Sequence, residues 1–253
     1  MANIWIMKSI FRINLFTYLF LILSMLSGYF REIFIVFIIL VIHELGHFFL
    51  MKLMCIKVHS ITIYPYGGMI KSSMLINTNS LKVILISLGG VLIQFLFLGF
   101  VFIIYKFGIM NNFYYDIFLK YNFYIILFNL LPIYPLDGYK ILNSFFELFI
   151  SFKKSIYVSF IVNIICLILF FIYLYIYRIS NYLIMIFLIV NFINYIREIR
   201  YIMNKFYIER IIYDLKYNGL ISVDTKEMMY KNRLNYICGI NERVYLADKY
   251  GIY

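Results

Sequence analysis

Through the first 196 residues, charged side chains stand between long apolar runs, and that punctuation restricts the chain to folds built in a bilayer. The runs are residues 13–30, 33–51, 83–105, 121–136, 155–177 and 179–196, each 16 to 23 residues long. A helix needs about 20 predominantly apolar residues to cross the hydrocarbon core. These runs predict an α-helical polytopic membrane protein with six transmembrane segments, the fourth short and broken. The chain is 64% hydrophobic, against roughly 45–50% for soluble domains, which excludes a soluble globule for most of it. The first run is long for a signal-peptide core and no small-x-small cleavage pattern follows, so it reads as a retained helix.

Charge placement orients the segments. With the N-terminus in the cytosol, the outer loops hold Arg31, Lys106, Lys120 and Arg178, four of the 23 Lys and Arg. Leaving out the ten basic residues after residue 196, the split is nine inside to four outside, as the positive-inside rule requires. Both termini are then cytosolic. The net charge of +11 reads as topology and attraction to anionic lipid of the bilayer, with no direct nucleic-acid binding. Cys55, Cys166 and Cys238 are odd in number and far apart, so no disulfide framework or cysteine zinc site follows from them.

The second run carries His43-Glu44-Leu45-Gly46-His47 near its middle. Polar side chains at that depth are costly, roughly 2.5–3.5 kcal/mol for an ionised one. On a helix, positions i and i+4 share a face, so His43 and His47 can grip one metal ion. Glu44 projects beside them, where it can act as general base on a metal-bound water. The pattern proposes hydrolytic metal chemistry within a membrane.

Further along, Ile56 to Tyr64 alternates polar and apolar residues and is rich in β-branched ones, Pro65-Tyr66-Gly67-Gly68 is a turn signal, and Met69 to Leu75 can return as a second strand. The result is a short β-hairpin after the second transmembrane segment. His59 reads as an exposed strand residue. Gly89-Gly90 lets neighbouring helices approach closely. Gln94 follows as the strongly polar residue of its run, suited either to a bond with a neighbouring helix or to an active site.

Residues 129–138 read Asn-Leu-Leu-Pro-Ile-Tyr-Pro-Leu-Asp-Gly. Pro132 and Pro135 break helical hydrogen bonds, and unwound backbone at membrane depth is viable only when buried in protein or lining a wet cavity. The distortion surrounds a carboxylate, Asp137, although Asp-Gly taken alone is equally a surface turn. Catalytic zinc usually takes three protein ligands and a water. Glu32 lies at the wrong membrane face, Asp116 in an outer loop, and Glu147 beyond the break. The set that remains is one Zn²⁺ ion per chain held by His43, His47 and Asp137, with Glu44 as base.

With these motifs the chain resembles the site-2 protease family of intramembrane zinc metalloproteases over residues 1 to about 200. The resemblance rests on residues 43–47 and 129–138, supported by Pro65 to Gly68. It implies peptide-bond hydrolysis in or near the bilayer, membrane-tethered protein substrates, and a site role for Asn129 in binding substrate or the oxyanion. The family often shows Gly-Pro-x-x-Asn in its third helix. Here the stretch is Gly90-Val91-Leu92-Ile93-Gln94, without either the proline or the asparagine. The loops leave no room for the PDZ domain that some members carry. The layout therefore most resembles the family's sporulation branch, whose members cut the pro-sequence of a membrane-associated sigma factor and end in a cytosolic CBS domain. The branch implies inhibitory or scaffolding membrane proteins as further partners, and a bacterial cell membrane location such as the membrane surrounding the forespore.

Residues 1–200 are thus expected to form the metalloprotease domain and 201–253 a small cytosolic α+β module, a truncated CBS-like segment for which no nucleotide is claimed. Tyr207 to Leu215 suggests a helix there, and Tyr236 to Leu246 suggests strands around a turn at Asn241. Two other readings compete: a catalytically inactive relative that binds membrane proteins, which the intact base and ligands oppose, and a metal transporter, which would repeat its broken helix in a second half.

Overall fold

The computed structural model describes residues 11–251, apart from 27, 29, 65, 66, 178–181, 214, 216 and 218. The elements run β1 (Phe11–Ile13), α1 (Leu15–Leu26), α2 (Phe30–Leu53), β2 (Val58–Tyr64), β3 (Gly67–Ser72), α3 (Ser80–Lys106), α4 (Asn112–Asn129), α5 (Asp137–Phe149), α6 (Phe152–Ile176), α7 (Tyr182–Ile212), β4 (Leu220–Val223), β5 (Leu234–Ile237), β6 (Ile240–Asn241) and α8 (Glu242–Tyr250). They form two compact units: Met1–Met74 with Leu85–Asn129, and Leu75–Ile84 with Leu130–Tyr253.

Three described helices, α2, α3 and α6, are long and apolar enough to cross a membrane. They match the second, third and fifth expected segments. The first run is helical over 12 described residues, and the fourth corresponds to α4, which starts earlier and includes Asp116 and Lys120. Helix α7 begins within the sixth run and continues through Arg197 and Arg200 to Ile212. The outward surfaces fit lipid. Along α3, Gln94 is 0% exposed while Phe95 is 56% and Leu96 71% exposed, the inversion expected where the surroundings are hydrocarbon and polar groups face the protein.

In the first unit, Ile39 of α2, Val101 of α3 and Phe118 of α4 form a buried cluster. The expected hairpin is present as antiparallel β2 and β3, with Pro65 and Tyr66 of the turn signal outside the described residues. A third strand, β1, pairs parallel with β2 through Phe11↔Ile61 to Ile13↔Ile63. The sheet order β1-β2-β3 leaves β3 at an edge. His59 on β2 is exposed.

In the second unit, the tail packs onto the start of α6 and the end of α7. Phe152, Ile156, Phe206, Tyr207, Ile211, Val223, Met229, Ile237 and Leu246 make one buried core. The buried Arg210 guanidinium meets Glu242 at 2.6 Å and donates to the carbonyls of Tyr230 and Lys231; Glu242 also accepts from Asn235. The turn expected at Asn241 lies elsewhere. Cys238 and Gly239 both have positive φ and form the two-residue loop between β5 and β6, the geometry that suits a tight hairpin. Asn241 instead caps α8, its side chain accepting from Arg243 N.

Candidate metal centre

Helices α2 and α3 approach closely at a glycine seam. A Cβ on Gly46 would run into the carbonyl of Gly89, one on Gly89 into the Gly46 oxygen at 2.8 Å, and one on Gly90 into the His43 ring. That closeness lets the histidines reach α3. His43 Nδ1 lies 2.8 Å from Gln94 Oε1, and His47 Nδ1 lies 2.7 Å from the Ile86 carbonyl oxygen. Both oxygens can only accept, so each ring carries a hydrogen on Nδ1, and in its neutral form presents a lone pair at Nε2. The two Nε2 atoms face each other at 3.1 Å.

Two lone pairs aimed at one space fit a shared cation. Nitrogens bound at about 2.0–2.1 Å to one tetrahedral zinc ion lie roughly 3.3 Å apart. An Nδ1–H donated to a carbonyl is also the arrangement that orients histidine ligands of metals. Asp137 is 5% exposed, which removes the surface-turn alternative for Asp-Gly. Asp137 lies in the second unit and is the carboxylate expected from the sequence as third donor. Two neutral imidazoles and a carboxylate are a donor set suited to zinc.

Asp137 opens α5 after an irregular stretch. Ile133 N bonds Leu131 O, Leu136 N bonds Ile133 O, and Tyr134 N donates to Asn163 Oδ1 at 3.3 Å. The Tyr134–Pro135 peptide is cis. A Cβ on Gly138 would strike the carbonyls of Leu130 and Leu131, so the folded-back backbone requires glycine after Asp137. Asp137 Oδ1 lies 2.9 Å from Lys140 Nζ. Asn129, last residue of α4, donates from Nδ2 to Ile125 O at 3.0 Å, using one of its two amide hydrogens.

Glu44 is held by a contact absent from the sequence reading. The backbone N–H of Gly68 on β3 donates to Glu44 Oε1 at 2.9 Å, and a Cβ on Gly68 would collide with the Glu44 carboxyl. Gly68→Ala should therefore displace the carboxylate without touching either histidine. With Glu44 acting as the general base expected from the sequence, cleavage should fall by about tenfold or more, while any zinc content measured by elemental analysis stays near that of the parent. Parallel loss of zinc and activity would show that Gly68 supports the fold rather than the base.

The glycine seam is testable too. Gly46→Ala forces α2 and α3 apart, and overpacking of this kind costs about 1–3 kcal/mol. Both lower thermal stability in detergent and weaker zinc binding are expected, because Gln94 and Ile86 retreat together from the histidines. Unchanged values of both would mean the helices do not meet at Gly46.

The chain is similar to known proteins in sequence and in fold. Residues 31–117 match the model of Peptidase family M50. Stage IV sporulation protein FB of Bacillus subtilis (strain 168) is 28% identical over 217 residues, 82% of this chain and 74% of that protein. Over these stretches the chain is similar to Peptidase family M50 and to a sporulation protein. The fold is also shared with the site-2 protease from Methanocaldococcus jannaschii, with a TM-score of 0.54 at 21% identity, covering 72% of this chain and 87% of that one.

Proposed function

We propose that the chain is an intramembrane zinc metalloprotease that hydrolyses a peptide bond of a membrane-associated regulatory protein, a pro-sigma factor processed during sporulation. The observation that carries the reading is the convergence of the buried His43 and His47 Nε2 atoms at 3.1 Å, with Asp137 as the proposed third donor. Similarity to a stage IV sporulation protein supports the sporulation setting. The charge distribution supports cytosolic termini, and similarity to a Bacillus subtilis protein supports a bacterial cell membrane.

Zinc held by His43, His47 and Asp137 would supply Lewis-acid polarisation of the scissile carbonyl and a water that ionises near neutral pH. Glu44 takes the proton at its carboxylate and returns it to the leaving amine. Asn129 offers an amide hydrogen to the oxyanion. A helical substrate has its carbonyls already bonded, so it must unwind first. Edge strand β3, whose Gly68 touches Glu44, is suited to pair with that extended segment. His47 precedes Lys52 by five residues, about 7–8 Å of helix, which keeps the site within reach of cytosolic water.

Co-expression with membrane-bound pro-sigma factors tests the proposal. A shortened product that depends on this chain is expected. A zinc-loaded chain that retains such proteins uncut would instead be a membrane binding protein, and a chain that moves zinc across vesicles would be a transporter.

A further inference from the structure

We infer that Gln94, held in orientation by Asn122, is the positioning residue that selects the metal-binding tautomer of His43. The inference rests on the zinc reading above and adds a role for a residue at which this chain departs from the family's Gly-Pro-x-x-Asn pattern.

The two histidines obtain their Nδ1 acceptors differently. His47 uses the backbone carbonyl of Ile86, which no side-chain substitution removes. His43 depends on a side-chain amide, and an amide can present either end. With its oxygen toward His43, it requires a hydrogen on Nδ1 and leaves Nε2 for the metal. With its NH₂ group toward His43, it would require a lone pair on Nδ1 and put the hydrogen on Nε2, aimed at His47, where it would exclude a cation.

Asn122 on α4 decides between the two ends. Gln94 Nε2 donates to Asn122 Oδ1 at 3.2 Å, which leaves Oε1 for His43. His43 and Asn122 are each 2% exposed and Gln94 0%, so water does not compete for these bonds. Gln94 and Ile86 both lie on α3, so this helix supplies both Nδ1 acceptors, one through the backbone and one through this glutamine.

Zinc affinity and the histidine tautomer test the inference in the full-length chain purified in detergent. Gln94→Met keeps volume but removes the acceptor. Its zinc dissociation constant, measured by competition with a chromophoric chelator, should rise by about 10- to 100-fold, the usual effect of removing a residue that orients a metal ligand. Gln94→Glu retains an acceptor and should stay within about threefold of the parent. Asn122→Leu frees the amide to rotate and should give a smaller loss than Gln94→Met. In the zinc-free parent with ¹⁵N-labelled histidine, the His43 Nδ1 resonance should be that of a hydrogen-bearing nitrogen, and in Gln94→Met it should shift toward a tautomer mixture.

Parent-like zinc affinity and tautomer in Gln94→Met would overturn the inference, as would an equal loss in Gln94→Glu, which would make the glutamine a packing residue. A parent chain that takes up no zinc yet keeps the His43 hydrogen on Nδ1 would overturn the metal reading and leave the positioning role standing.

Discussion

Glu44→Gln is expected to insert into the membrane, bind about one zinc per chain and retain substrate, yet cut it little or not at all. Glutamine keeps the size of glutamate and can hold its oxygen against the Gly68 N–H, so the hairpin contact survives. What disappears is the basic oxygen that accepts the proton in the proposed reaction. General-base catalysis contributes roughly 10²–10⁴-fold, so the cleavage rate should fall by that order. Quantitative immunoblotting of substrate and product, beside zinc analysis of the same preparation, reads both halves of the prediction. Substantial cleavage by the glutamine variant would remove Glu44 from the reaction. Loss of zinc would make Glu44 a ligand instead.

The parts of this site that are legible in the sequence are those encoded within one stretch of chain. His43 and His47 share a helical face because of their spacing, and the Pro132–Pro135 break announces itself by removing backbone donors. Contacts between distant stretches carry no such mark. Gly68 meets Glu44 across 24 residues, and Gln94 meets His43 across 51. Only the Gly89-Gly90 pair hinted that α3 would come close, and nothing on α3 named Gly46 as its counterpart. Element ends were less legible for a different reason. Arg197 and Arg200 end an apolar run, but charge does not end a helix, so α7 continues to Ile212. Strand β1 spans three residues at the edge of an apolar run, too short for alternation to register. Asn241 is favoured both in turns and at helix N-caps, and only the positive φ of Cys238 and Gly239 shows which role it takes.

His43→Ala, His47→Ala and Asp137→Ala should each abolish cleavage together with zinc binding, the opposite pairing from Glu44→Gln. Each removes one of three protein donors, and the remaining two bind zinc weakly. Asp137 needs a control, because its carboxylate also lies 2.9 Å from the Lys140 ammonium. If that ion pair were its whole purpose, Lys140→Gln would do as much harm as Asp137→Ala. The ligand assignment predicts the reverse. Lys140 is about half exposed, and an exposed partner contributes roughly 0–1 kcal/mol, so Lys140→Gln should keep zinc near one per chain and most of the activity. Asp137→Asn is the graded case: an amide oxygen is a poorer donor than a carboxylate, and zinc should exchange out during dialysis against a chelator faster than from the parent. Full zinc retention and activity after loss of the Asp137 carboxylate would leave the two histidines in need of another third donor.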